Sequence, residues 1–456
     1  MENPLTQKLA HFASHLNYSD IPPRVRDHMK LCVLDTLGCG LFGSTLPWGK
    51  ILSEFAVDLG EKQESTLLGR SSKVSAPNAA LANGTMIHGF ELDDLHRLSI
   101  LHPGSVTLPS ALAVGESVGT CTGKGFLTAM VAGYEVGCRV GMVLGASHLQ
   151  QGYHPTGTHG TFAAAAAAGG VLGLNEEKMT HCLGLAGTQA AGLMAAQYAA
   201  MVKRMHAGRA SQSGVYAALL SQKGLTGITN ILDSDFGGYF TVMGKSRDPE
   251  QAIRGLGEDY EVLKVGFKCF SSCGSNFTSL EALSRIMTDQ HLRASEIKKI
   301  RVRCTSVTKI HVGWDYVPEG ITSAQMNLPY SLAVMALEGD AFVDQFTDQK
   351  IKDPNILEFI RRIEVVSDPE LDRLGPDYRH AAICQVETND GRFFEKRVEF
   401  AKGGSTNPLG VEEVVSKFRR LAGKVLSKKK VEDLYQTVQD IENLSSVKEL
   451  ARFLVP

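Results

Sequence analysis

Tyr153-His154-Pro155-Thr156-Gly157-Thr158-His159-Gly160 opens, and Lys203-Arg204-Met205-His206-Ala207-Gly208 closes, a segment whose other side chains are mostly methyl or hydrogen. Ala163 to Ala168 is an unbroken alanine run followed by Gly169 and Gly170. Ala186 to Ala200 continues it with Gly187, Ala190, Ala191, Gly192, Ala195, Ala196 and Ala199. Alanine is the best helix former and brings little apolar area of its own, so such helices serve to let neighbours approach closely. The segment predicts a tight helical core with ionisable groups at both ends, and a rigid frame of that kind is where a site belongs. Taken singly, His154 and His206 read equally well as capping or core histidines.

Toward the N-terminus the pattern stays helical. Thr6 to His15 is a short helix, and Pro22-Pro23 restarts the chain in a helix that Gly38 and Gly40 are expected to end. Its Asp35 reads as structural. Pro77 begins a small-residue helix running to His88, and Ser110 to Val118 and Phe126 to Val140 are two more. Near Val265 the composition shifts. Ile300, Val302 and Cys304 alternate with Arg301 and Arg303, the period of a half-buried strand. Ile363 to Val366 is a second strand, and Ala381 to Phe400 is a hairpin closed at Asn389-Asp390-Gly391. From Pro408 helices return at 411–426 and 431–454, joined by a basic turn at Ser427 to Lys430. The fold class is mainly α with a second α+β domain. A large all-helical domain is built from both chain ends (1–264 and 401–456), with a smaller α/β lid at 265–400.

A net charge of −2 leaves no basic footprint for nucleic acid or an anionic membrane, which points to small-molecule chemistry or protein contacts. Met1-Glu2-Asn3-Pro4 lacks a secretory start, and no strongly apolar run of the ~18 residues a membrane needs is read. Nine scattered cysteines, an odd number without a C-x-x-C pair, point to free thiols in a reducing compartment, and a cytoplasmic location is expected.

Chemistry concentrates in a few loops. In His88-Gly89-Phe90-Glu91-Leu92-Asp93-Asp94-Leu95-His96, three carboxylates fall within four residues; buried together they repel, so at least one must protonate or find a cation. A solvated acidic helix end is the plainer reading. His102 before Pro103-Gly104 stands outside a helix interior, where a side chain can be presented. Gly266 to Gly274 is a glycine-bounded loop carrying Cys273, which as a free thiol is equally well a small buried hydrophobe. Nucleotide and hydrolase fingerprints are not read: no G-x-G-x-x-G between strand and helix, no P-loop, no G-x-S-x-G elbow. His154 and His159 are five apart beside Pro155, poor spacing for two ligands on one helix face, so no metal site is indicated. What remains is a set of proton carriers and cations suited to removing a proton next to a carboxylate and holding the enolate.

His88 to Asp94, His102-Pro103-Gly104-Ser105, Gly133-Tyr134-Glu135-Val136, Tyr153-His154-Pro155-Thr156 and Lys203 to Gly208, in that order, give the chain its likeness to a known family. It resembles the MmgE/PrpD family, which includes 2-methylcitrate dehydratase, cis-aconitate decarboxylase and iminodisuccinate epimerase, over essentially its whole length. The resemblance implies a helical body with an α/β lid, a homodimer, no cofactor, and a small polycarboxylate substrate. Matched to the decarboxylase pattern, His102, His154 and Lys203 are kept. The first acidic position falls on Glu91, a lid histidine on Cys273, and the active-site tyrosine has no clear counterpart near Lys309 to His311. The departures favour epimerisation, which needs a base on one face of the carbon and an acid on the other, roles a thiol can fill. The expected catalytic set is His102, Lys203, His154 and Cys273, with Glu91, Asp93, His206 and His159 binding substrate. A dehydratase or decarboxylase of the same family is the first alternative. A metal-dependent hydrolase and a non-catalytic binding protein are the others.

Overall fold

The computed structural model describes residues 4–60, 62–197, 200–245 and 248–456. At its centre lies the alanine-rich helix Pro155–Val171, in which every residue from Pro155 to Gly169 is buried. It is apolar all round because neighbours surround it: Gly123–Gln150, Val202–Gln222 and Gly104–Val118 pack against it. Small residues set those distances. A Cβ on Gly137 would stand 2.4 Å from the Ala163 Cβ, and one on Gly208 would stand 2.1 Å from the Leu81 carbonyl oxygen. The mainly helical class with a smaller α/β portion is therefore what the chain adopts.

The α/β portion is a four-stranded sheet in the order Ile363–Ser367, Ile297–Cys304, Ala382–Thr388, Phe393–Val398. The first pair is parallel and the other two are antiparallel. In Ile297–Cys304 a register shift between Ile297 and Lys299 lets Ile297 and Ile300 both face inward, after which Val302 and Cys304 alternate as the sequence predicts. Helix Phe277–Asp289 covers the hairpin, and Leu328–Glu338 packs on that helix. The C-terminal helices return to the helical body, with Val411–Ala422 lying on Pro23–Gly43. There the Lys417 ammonium sits 2.6 Å from the Asp35 carboxylate and donates to the Leu92 carbonyl at 2.5 Å, which gives Asp35 the structural role expected of it.

Three local expectations are corrected, and two sequence patterns take their meaning from the fold. Helix Pro23–Gly43 runs through Gly38 and Gly40; a Cβ on Gly38 would lie 3.2 Å from Phe418 Cα, so the glycine serves close packing and not termination. Ala186 to Ala200 does not continue the helix, which stops at Gly187. The His154 amide donates to Gly192 O (3.0 Å) and the Met194 amide to Gly152 O (2.8 Å), drawing this stretch into a loop beside His154. Tyr198 and Ala199 of that stretch lie outside the described residues. Ser427 is the N-cap of helix Lys428–Gln439, whose first turn holds the three lysines read as a linker. The letters of G-x-S-x-G do occur, at Gly115-Glu116-Ser117-Val118-Gly119, but they end helix Gly104–Val118 instead of forming a strand-to-helix elbow. Finally, Gly123–Gln150 is long and apolar enough to cross a membrane by length and composition. Its most apolar stretch is 89% buried within the protein, so its apolarity serves the core.

Candidate active site

Helix Ala76–Ile87 gives way to a single tight turn, His88–Phe90, and then to Glu91 in a left-handed conformation (φ 56°). At the far end of the same loop the β-branched Ile100 is also left-handed (φ 53°), immediately before Leu101-His102. Non-glycine residues occupy this region at a cost, the more so when β-branched, and such outliers concentrate at functional sites. The three carboxylates between them meet both predicted fates. Glu91 and Asp93 find cations or imidazoles. Asp94, buried and close to Asp35 and Asp93, has its carboxyl pushed well above the usual range, although the Tyr134 hydroxyl donates to it at 2.6 Å and the Gly104 amide at 3.0 Å.

Around Asp93 four imidazoles gather. His88 Nδ1 lies 2.7 Å and His102 Nδ1 3.2 Å from the same carboxylate oxygen. Burial alone would raise the Asp93 carboxyl, but His102 and His88 outweigh it and hold it well below the ordinary value. An ionised carboxylate only accepts, so His88 Nδ1 carries the hydrogen of that contact and the neutral His88 ring keeps its lone pair on Nε2, while His102 Nδ1 stands beside the same oxygen outside hydrogen-bond geometry. The His88 and His102 rings are 4.8 Å apart and those of His88 and His154 5.4 Å. His154, at the start of helix Pro155–Val171, shares a hydrogen with His206 across 3.0 Å between their Nδ1 atoms. Burial lowers His88 to about 4 and drives His154 well below its ordinary value, so both are neutral near pH 7. The His102 amide donates to Thr156 Oγ1 at 3.3 Å, which ties the acidic loop to the alanine-rich helix.

Beside this group, Glu91 is held by three cations. Lys203 and Arg204 from helix Val202–Gln222 reach one carboxylate oxygen, Arg204 at 2.5 Å, and Lys268 reaches the other at 3.1 Å. These cations overcome burial and keep the Glu91 carboxyl well below its usual range, while burial lowers the Lys203 ammonium from its own. Arg204 also donates to Gln325 Oε1 at 3.1 Å, and Gln325 Nε2 donates to the Phe90 and Ser271 carbonyls. Three cations against one carboxylate leave a surplus of two positive charges beside the imidazoles. The helical body and the α/β portion both contribute to it.

From the α/β portion come Cys273 and His311, with Sγ and Nδ1 3.9 Å apart and Ser275 Oγ 3.0 Å from the same nitrogen. Burial pushes the other eight thiols up, whereas His311 offsets burial at Cys273 and brings its thiol down to about 7. Cys273 in turn raises His311. The thiolate is therefore present above about pH 7 and is lost as pH falls below it, and its charge is what raises the neighbouring imidazole. Alkylation of Cys273 by iodoacetamide, followed by peptide mass, is expected to rise with an inflection near pH 7, and His311→Ala is expected to move that inflection up by a unit or more. An inflection unmoved by the substitution would separate the two side chains.

Glu91, Asp93, His102, His154, Lys203 and His206 are thus brought together by the helical body, and Cys273 belongs to a second acid/base pair that meets it through Glu91 and Lys203. His159 is the exception. Its Nδ1 contacts the Tyr239 hydroxyl at 2.9 Å and its ring packs on His148, in the core and not in the imidazole group. Five residues carry it well round the helix from His154, so nearness in sequence misleads. Sequence reading left out His88, Arg204, Lys268, Gln325 and His311. His88 and Arg204 adjoin residues already chosen, and Lys268 is a cation of the Cys273 loop, but no local signal marks Gln325. His88, Asp93 and His102 also offer three donor atoms within 4.8 Å of one another, a set that could hold a divalent metal.

Profiles of the MmgE/PrpD N-terminal domain and of the MmgE/PrpD C-terminal domain match residues 7–252 and 270–443. Among curated relatives, the chain is 32% identical to the cis-aconitate decarboxylase-like protein oryM of Aspergillus oryzae, over 98% of this chain and 97% of the relative. It is 28% identical to the cis-aconitate decarboxylase of Aspergillus terreus (99% and 96%) and 23% identical to the 2-methylcitrate dehydratase of Escherichia coli (89% and 87%).

Proposed function

Because this chain belongs to the MmgE/PrpD family, we propose that it is an acid/base enzyme that moves a proton at carbon beside a carboxylate of a small di- or tricarboxylate. The observation that carries this reading is the Asp93-centred imidazole group standing against the Lys203, Arg204 and Lys268 cluster. His102, its Nδ1 standing 3.2 Å from Asp93, offers Nε2 as base or acid. It is the more exposed of the two Asp93 partners, its side chain 11% accessible against none for His88. The surplus cations draw in the substrate's carboxylates and stabilise the negative charge that develops when the adjacent carbon carries an electron pair. His154 and His206, both neutral, pass or hold a proton.

Such an electron pair is left on carbon either by loss of carbon dioxide or by removal of a proton, and three outcomes follow. Departure of carbon dioxide breaks a carbon–carbon bond, and the carbon is then protonated. Departure of water removes a proton from one carbon and hydroxide from the next. Epimerisation returns the proton on the opposite face. The relatives are named for lyase activities, so loss of carbon dioxide or water is the reading they favour. Epimerisation is the second reading, carried by Cys273 and His311, which supply a second proton carrier from the α/β portion. The family likeness also makes a cytoplasmic homodimer and an absence of cofactor part of the proposal.

Citrate-like and succinate-like acids incubated with enzyme in deuterium oxide and followed by NMR distinguish these outcomes. A lyase consumes substrate with release of carbon dioxide or water, and deuterium enters the product wherever carbon is protonated. An epimerase washes deuterium into a substrate that keeps its carbon and oxygen count. Activity that disappears on chelation and returns with metal would replace the proposal with metal chemistry at His88, Asp93 and His102. Absence of exchange and turnover with every acid, with and without metal, would end it.

A further inference from the structure

Next to the catalytic group lies a cleft of about 120 Å³ lined by Arg97, Lys264, Lys268, Arg379, His380 and Lys402, with Glu399 as its one acid. Its cations are not equivalent. Lys264 is paired with Asp259 and Glu261, Lys268 with Glu91, Lys402 with Glu413, and Glu399 itself with Arg397. Arg97 and Arg379 are different: the acid both sense is Asp377, and it is the Asp377 backbone carbonyl that accepts from Arg97. Burial and the neighbouring Arg97 lower the Arg379 guanidinium to about 10. Arg379 Nε donates to His380 Nε2 at 3.0 Å, so His380 carries its hydrogen on Nδ1, and that buried nitrogen has no partner.

The donors are fixed in place before any ligand arrives. Thr305 and Thr308 donate to the Arg379 carbonyl at 2.5 and 3.1 Å, and Thr278 donates to the His380 carbonyl at 2.5 Å. Two repelling guanidiniums and an unused N–H on a rigid segment are an arrangement that an anion relieves. The cleft also adjoins the chemistry. Lys268 lines it and binds Glu91, Gly274 lines it and follows Cys273, Arg379 senses Cys273, and His380 senses His311.

We propose that this cleft is a carboxylate subsite, in which Arg97, Arg379 and the His380 Nδ1–H hold the substrate carboxylate farthest from the reacting carbon. The assignment rests on the polycarboxylate reading above and deepens it: Arg97 and Arg379 select acids with a remote second or third carboxylate over monocarboxylates. Binding made equally in ground and transition state raises affinity without changing the chemical step, so the arginines act on KM and leave kcat alone.

Calorimetry with tricarballylate, which needs no turnover, tests the site directly, with acetate and inorganic phosphate as comparison anions. Arg379→Gln and the half-buried Arg97→Gln, each first shown to melt at the wild-type temperature, are expected to weaken tricarballylate binding about 10- to 100-fold, as loss of a charge-assisted bidentate contact does. Acetate binding should be unchanged, and with a turned-over acid KM should rise while kcat holds. Arg379→Lys, which keeps charge but loses the planar fork, should fall between. Unchanged tricarballylate affinity in both glutamine variants would overturn the subsite, as would phosphate competing on equal terms, which would mark a general anion site. Failure of the catalytic reading shows separately, as arginine-dependent tricarballylate binding by a protein that turns over none of the acids.

Discussion

Glu91→Ala is expected to destabilise the protein by about 3–5 kcal/mol, the usual cost of stripping one partner from a buried ion pair, and to abolish turnover. Glu91 is 4% exposed and is the shared partner of Lys203, Arg204 and Lys268. Removing its carboxylate leaves three buried cations facing one another with no counter-charge. Glu91→Gln separates charge from shape, since it keeps an acceptor oxygen and the side-chain volume and should recover part of the packing but little of the electrostatics. The measurement is urea unfolding, read as a shift in midpoint at constant slope. Acid adds an independent signature. The Glu91 carboxyl is held below its unfolded value, so its contribution is complete above the unfolded carboxylate range, about pH 4, and is lost as pH falls through the folded value. Wild-type stability should therefore drop on acidification more steeply than that of Glu91→Gln. A glutamine variant as stable as wild type at pH 7 would mean that the cations are not held by this carboxylate.

Glu91 also marks the boundary of what the sequence could say. That the crowded carboxylates of residues 91–94 need cations or protons follows from their spacing, and both remedies are present. Which cations supply them does not follow: Lys268 lies 177 residues away, and Gln325, which donates to the carbonyl of neighbouring Phe90, lies 235 away from it. No local periodicity encodes such pairings. Patterns confined to one element fared better. The alanine run is buried, the alternation at Ile300, Val302 and Cys304 is a central strand, and Asn389-Asp390-Gly391 closes the hairpin. The misread positions share a cause. Gly38 and Gly40 carry the local signal of a helix end, but their neighbours in space require small residues inside a helix. Ala190 to Ala200 carries helix propensity, yet hydrogen bonds from His154 and to Gly152 draw part of it into a loop. His311 gave no signal because its partner, Cys273, is 38 residues away.

Asp93→Asn should lower turnover by about 10⁴, the effect of giving a catalytic imidazole the wrong tautomer, with much less effect on substrate affinity. Ionised Asp93 accepts from His88 at 2.7 Å and stands 3.2 Å from His102 Nδ1, a placement that favours a hydrogen on that nitrogen and leaves Nε2 to present a lone pair. Asparagine can turn its NH₂ toward the same nitrogens and so reverse the tautomer of His102, leaving the base with a hydrogen where it needs an electron pair. His102→Gln, which removes the ring, should cost about 10²–10⁴, the range for loss of a general acid or base. The two changes disable one unit, so the double variant should be scarcely slower than the worse single one. Additive losses would mean that Asp93 and His102 act separately. The cycle is best measured as single-turnover conversion for a lyase, and as deuterium exchange into substrate for an epimerase, because each reports the step that His102 serves. A wild-type rate in Asp93→Asn would leave the carboxylate as a fold-holding group for His88 and would show that it does not set the tautomer of the catalytic imidazole.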